Sequence, residues 1–167
     1  LDDMAVSAAE LFGMFTRFLA QSIREDRVAP GAVCEHLDGP ADDTGAYLEG
    51  WLGLERDDFA ESVMEVEDFI RGHGRLPDCV FTEAEDAKTA DWFCGAAQMV
   101  AHLVETGELL DDVVTGPARM RCADHVDRAA AEGSWRGAMA AGGGFDGRKL
   151  LEQAERQAWT LKPAILA

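Results

Sequence analysis

The chain of 167 residues has no stretch approaching the roughly 20 uninterrupted apolar residues that a membrane-spanning helix requires, so membrane insertion is not expected. Lysine is scarce. Only Lys88, Lys149 and Lys162 occur, and arginine supplies the rest of 15 bases set against 32 acids, for a net charge of −17. Such a charge repels nucleic acid and anionic membranes, which leaves nucleic acid out of the expected partners. Few lysines and many acids suit a high-salt cytoplasm, and GC-rich coding produces the same bias. The start of the chain has no basic region ahead of an apolar core, so no secretory leader is read there. A chain that begins on Leu1, with its first unit lacking a leading helix, reads as a processed product or a piece of something longer. Gly-x-Ser-x-Gly, His-Glu-x-x-His, Cys-x-x-Cys and the EF-hand loop are all absent. The Gly142-Gly143-Gly144 run lacks the remainder of a phosphate-loop pattern and reads as a flexible turn.

The charge that is present is unevenly placed. Residues 1–116 carry 26 acids and 7 bases, a net of −19, whereas 117–167 carry 6 acids and 8 bases, a net of +2. Either the C-terminal segment docks on the acidic part or the two parts face different partners. The apolar fraction of 47% is that of a globular protein, and the length is enough for a sizeable core.

Apolar periodicity makes the chain mainly α. Ser7-Ala8-Ala9-Glu10 is a capping-box pattern, and Leu11, Phe12, Phe15, Phe18, Leu19 and Ile23 follow at helical spacing, predicting a helix over about 7–25. An amphipathic turn is expected at Tyr47, Leu48, Trp51 and Leu52. Asp57 or Asp58 then caps a helix carrying Phe59, Val63, Val66, Phe69 and Ile70, stopped at Gly72 and Gly74. Pro77 favours an extended 76–81. Thr89 or Asp91 opens a helix with Trp92, Phe93, Ala96, Met99, Val100 and Leu103 inward, ended by Gly107. Thr115-Gly116-Pro117 predicts a further helix to about Glu132, and Asp146 caps a last one ended by Pro163. The expectation is a helical repeat or bundle of about five main helices with short extended turns.

Within it the chain repeats itself. Residues 11–33 follow the pattern of 91–113, and a third, weaker copy starts at Ala123. This divides a single helical domain into three degenerate repeats, 1–56, 57–114 and 115–167. A unit of this size cannot bury its own apolar face, so neighbours must stack, which suits a binding surface or scaffold.

The middle unit carries Phe69, Ile70, Gly74, Leu76, Pro77 and Val80, then Trp92, Phe93, Ala97, Met99 and Leu103, then Gly107-Glu108-Leu109 and Val113. In this it resembles the pseudomurein-binding repeat, a small module of archaeal cell-surface proteins. The first copy keeps Val28-Ala29-Pro30 and Val33. The third keeps Gly133, Trp135, Leu150 and Leu151 but has Arg136 where the middle unit has Pro77. The resemblance implies a non-catalytic module that attaches an extracellular protein to a wall glycan or other surface polymer, or to a partner protein. It implies an extracellular or cell-surface location; without it the chain reads as cytoplasmic. The strong negative charge of the first two units departs from what docking on an acidic wall requires.

The binding face is expected at the turns, lined by His73, Arg75 and Asp78 with Trp51 and Trp135. These two tryptophans lie near turns, where an aromatic face can stack on a pyranose, whereas Trp92 and Trp159 lie in apolar stripes and belong to the core. A second possibility is a tetrahedral zinc site, in a metal-binding helical protein or an enzyme, made by Cys34 and His36 with Cys122 and His125; otherwise no cofactor is expected. Its alternative is two buried thiols and two exposed histidines. Cys79 and Cys94 either form a disulfide or pack as small apolar residues. Acid pairs such as Asp57-Asp58, Glu65 with Asp68, and Asp111-Asp112 can bind calcium or act as acid–base pairs, but abundant acids are mostly solvated surface. A third possibility, motivated by the charge split, is a structural subunit of a larger assembly.

Overall fold

The structure is a computed structural model that describes residues 5–41, 52–83, 86–118 and 157–162. Its elements in chain order are α1 (Ala8–Glu25), β1 (Leu52–Glu55), α2 (Arg56–His73), β2 (Cys79–Val80), β3 (Ala87–Lys88), α3 (Thr89–Thr106) and β4 (Asp112–Thr115). The chain is thus mainly helical, with small two-stranded sheets. Among the described residues no helix is long and apolar enough to cross a membrane.

The first helix starts as its sequence demands. Ser7 Oγ accepts from the Glu10 amide, and Glu10 Oε2 accepts from the Ser7 amide, completing the capping box. Its inward face carries Ala9, Phe12, Thr16, Leu19 and Ala20, and the Thr16 hydroxyl is satisfied by the Phe12 carbonyl. It ends at Asp26 in the left-handed region (φ 49°), a conformation that Asp tolerates better than most side chains. The other two helices end at left-handed glycines, Gly74 (φ 67°) and Gly107 (φ 81°), whose amides bond back to Ile70 and Leu103.

Three corrections to the expected architecture follow. There are three helices among the described residues rather than five, and no internal repeat is shown. The stretch at Thr115 is the end of a strand, not the cap of a helix. β4 pairs antiparallel with β1, Leu52 opposite Thr115 and Glu55 opposite Asp112. Alternating burial along β4, with Val113 and Thr115 inward, shows why a strand forms there. Leu52, expected in a helical turn, opens β1, so strands from the supposed first and second units close one sheet. Finally, α2 begins at Arg56 behind an uncapped Glu55 and not at an aspartate cap. The helices expected over about 117–132 and from Asp146 fall almost wholly outside the described residues. Of the last one, residues 157–158 are helical and 161–162 are not.

β2 and β3 form the second sheet, Cys79 opposite Lys88 and Val80 opposite Ala87. A single parallel bridge joins Asp38 to Arg75: the Asp38 amide donates to the Gly74 carbonyl at 3.3 Å, and the Leu76 amide to the Asp38 carbonyl at 3.0 Å. The three helices share one core. Trp92 on α3 lies at its centre, stacked on Phe59 of α2 at 5.5 Å and tilted on Phe12 of α1 at 5.1 Å. Trp159 from the C-terminal segment closes the core against Phe12 and Phe93. Trp92 and Trp159 are both fully buried, as their apolar surroundings in the sequence imply.

Candidate functional site

Three of the five residues expected on a binding face come together where α2 ends. His73 and Gly74 complete its last turn, the bridge to Asp38 fixes Arg75, and Pro77 carries the chain into β2. The His73 ring stacks on Phe69 one turn earlier, with centroids 4.2 Å apart and planes 15° apart, and its Nδ1 lies 3.0 Å from the Phe69 carbonyl. The Arg75 guanidinium lies 5.0 Å from the centre of the same Phe69 ring, a cation–π distance. It also donates to Asp78 Oδ1 and to the Leu76 carbonyl, both at 2.9 Å. Asp78 Oδ1 additionally accepts from the Ala41 amide at 2.6 Å, which ties the loop before residue 42 to this corner.

Beside the cluster lies an open groove of about 280 Å³, lined by Glu65, Val66, Phe69, Pro77, Val80 and Phe81 among others. Its walls are apolar and its lip is acidic. Phe81 on the rim is 64% exposed. The extended chain explains this: Val80 points inward, so Phe81, one residue on, faces out. Phe69, one of the apolar residues expected on α2, is half-buried and lines the groove. Phe81 could have been found from strand alternation after Pro77.

Cys79 also lines this groove. Burial first, then the nearby Asp86 and Asp78 carboxylates, push its thiol up from the ordinary value, so it is protonated at neutral pH and a poor nucleophile. Cys94, on the outer side of α3, is raised by burial and by Asp91. Both are free thiols, so the disulfide considered between them is not formed. Cys79 faces the groove and Cys94 an exposed helix surface, which places the two sulfurs in different environments.

Of the zinc set, Cys34 is a half-buried free thiol and His36 is exposed, its ring 3.9 Å from Glu10 and 3.7 Å from Asp38. Cys122 and His125 lie outside the described residues, as do Trp51 and Trp135. Among the described residues no group of three or more His, Cys, Asp or Glu side chains could hold a metal ion. Several of the paired acids are engaged locally: Asp58 accepts from the Glu83 amide at 3.0 Å, Asp68 pairs with Arg71, and Asp111 pairs with Arg56. Comparison of the chain with family models, curated proteins and solved structures gave no match.

Proposed function

We propose that the chain is a non-catalytic binding module that attaches to a cell-surface polysaccharide through the groove at the end of α2. The observation that carries this reading is the exposed Phe81 ring on the rim of the groove, with polar groups already fixed in place beside it around Phe69. The apolar face of a pyranose stacks on an exposed ring such as Phe81, and the Arg75–Asp78 pair beside it is already oriented toward the sugar's hydroxyls. Nothing in the groove resembles a reaction centre. The Cys79 thiol in it is protonated, and His73 beside it is engaged in stacking on Phe69 and with a backbone carbonyl. The acidic lip at Glu65 and Asp78 favours a neutral or amine-bearing glycan over a uronate- or phosphate-rich one.

The test is sedimentation with insoluble wall polysaccharide and calorimetry with soluble oligosaccharides. Phe81→Ala and Arg75→Ala each weaken binding by about tenfold, the equivalent of about 1.4 kcal/mol. Val104→Ala, which removes an exposed apolar side chain on α3, leaves it unchanged. Wild-type affinity in both groove variants, or capture of a protein partner with no polysaccharide bound, overturns the proposal.

A further inference from the structure

Glu10 sits where three parts of the chain meet. Its side chain is only 5% exposed. Oε2 accepts the Ser7 amide at 2.9 Å, while Oε1 lies 2.8 Å from Lys162 Nζ and 3.9 Å from His36 Nδ1. One residue earlier, the Ala9 amide belongs to the first turn of α1 and has no acceptor within the helix. It donates instead to the Trp159 carbonyl at 2.9 Å. The Trp159 ring is seated against Phe12, edge-on at 6.4 Å, and against Phe93 at 6.4 Å. Among the described residues, the contacts of 157–162 include a buried ring, a backbone cap on another helix and an ion pair. Of these, only the ion pair titrates, and its carboxylate is also the one that completes the capping box.

We propose that residues 157–162 form a detachable strap across the N-terminal end of α1, latched by the Glu10 carboxylate, so that acid releases the strap before the rest of the fold. Protonating Glu10 removes the charge that Lys162 faces. It also removes a negative charge from the positive end of the helix dipole and weakens the acceptor of the Ser7 amide. The groups facing Glu10 are Ser7 from its own helix start, Lys162 from the strap and His36 from the loop after α1, with Asp38 beyond His36. The Lys162 hydrogen bond, then the Ser7 amide, hold the Glu10 carboxyl below its usual range against the opposing effect of burial. Because the folded value is depressed, the latch is at full strength above about pH 4.5, the ordinary carboxyl value, and is lost as pH falls through the lowered one. Release uncovers the Phe12 and Phe93 faces that Trp159 now occupies.

The test uses the full chain labelled with 5-fluorotryptophan and followed by fluorine NMR, with the Trp159 line assigned by Trp159→Phe. Far-UV circular dichroism reports the helices in parallel. As pH falls, the Trp159 line moves to its solvent-exposed position while helicity is still native. Glu10→Gln raises the released fraction at neutral pH by about two- to fivefold, the scale of a partly exposed ion pair, and flattens the pH response. Lys162→Met does the same without touching the capping box, which keeps the test decisive if Glu10→Gln fails to fold. Trp159 and helicity changing together at one pH, or Lys162→Met matching wild type in line position and pH response, overturns the proposal.

Discussion

The Trp92 indole N–H on α3 donates to Ser62 Oγ on α2 at 2.9 Å, and both groups are buried. The same hydroxyl donates to the Phe59 carbonyl at 2.7 Å, so one serine ties the central indole to the helix whose Phe59 ring stacks on it. Ser62→Ala leaves the indole N–H buried without its acceptor. The expected loss is about 1–3 kcal/mol in urea unfolding. Trp92→Phe loses more, because it also removes core volume. The double variant loses less than the sum of the two, because Ser62 has no indole left to satisfy. Additive losses would show that the bond contributes nothing.

Two glycines in helices should respond in opposite directions to alanine. A Cβ at Gly95 of α3 would lie 2.8 Å from Val113 Cγ1, and Val113 is a fully buried, β-branched residue held in β4. Overpacking costs about 1–3 kcal/mol, against roughly 1 kcal/mol gained in helix propensity, so Gly95→Ala destabilises. Gly72, near the end of α2, has open space around the same position. Gly72→Ala therefore stabilises, by up to about 1 kcal/mol. Thermal or denaturant midpoints of the two variants check the signs directly.

This contrast also marks what was legible in the sequence. Helix interiors and ends could be read locally: Ser7 and Glu10 form their capping box, and Gly74 and Gly107 stop their helices where expected. The β1–β4 pairing was not legible, because it joins residues about sixty positions apart and each strand is only four residues long. Thr115-Gly116-Pro117 has the local chemistry of a helix start, yet the Thr115 hydroxyl donates to the Asp91 carbonyl and its backbone completes a sheet. Tertiary pairing overrode the cap. The binding corner was half legible. His73, Arg75 and Asp78 stand out as turn residues, but that their cluster forms around a half-buried Phe69 depends on the Asp38 bridge, which no spacing reveals. Lys162 of the C-terminal segment pairs with Glu10 of the acidic part.

Cys79 and Cys94 should alkylate slowly at neutral pH. Raised thiol values leave less thiolate than at a free cysteine, whose ordinary value is 9.0 here. Site-resolved mass spectrometry after iodoacetamide pulses gives the rate at each. Both rates keep climbing as pH passes 9, where a free thiol levels off. Because Asp86 contributes to the rise at Cys79, Asp86→Asn speeds that site and leaves Cys94 unaltered. Rapid labelling of Cys79 at pH 7 would contradict the half-buried, acid-flanked setting and reopen the question of a nucleophile in the groove.

Arg56 joins the start of α2 to the turn that follows α3. Its Nε donates to the Leu110 carbonyl at 3.2 Å and one guanidinium nitrogen to the Leu109 carbonyl at 3.0 Å; the same nitrogen also pairs with Asp111. The Arg56 amide adds a bond to the Asp111 carbonyl at 2.8 Å, in continuation of the β1–β4 ladder. The side chain is about half exposed, so its charge is screened, and the fork geometry matters more than the ion pair. Arg56→Lys keeps the charge but cannot reach two successive carbonyls as a planar fork, so it should lose nearly as much as Arg56→Met, about 1 kcal/mol in denaturant unfolding. Asp111→Asn, which spares the carbonyl contacts, should lose only a few tenths, the range of an exposed pair. Full rescue by lysine, or a loss in Asp111→Asn as large as in Arg56→Met, would show instead that charge attraction holds this junction, and that loss would then shrink as salt is added.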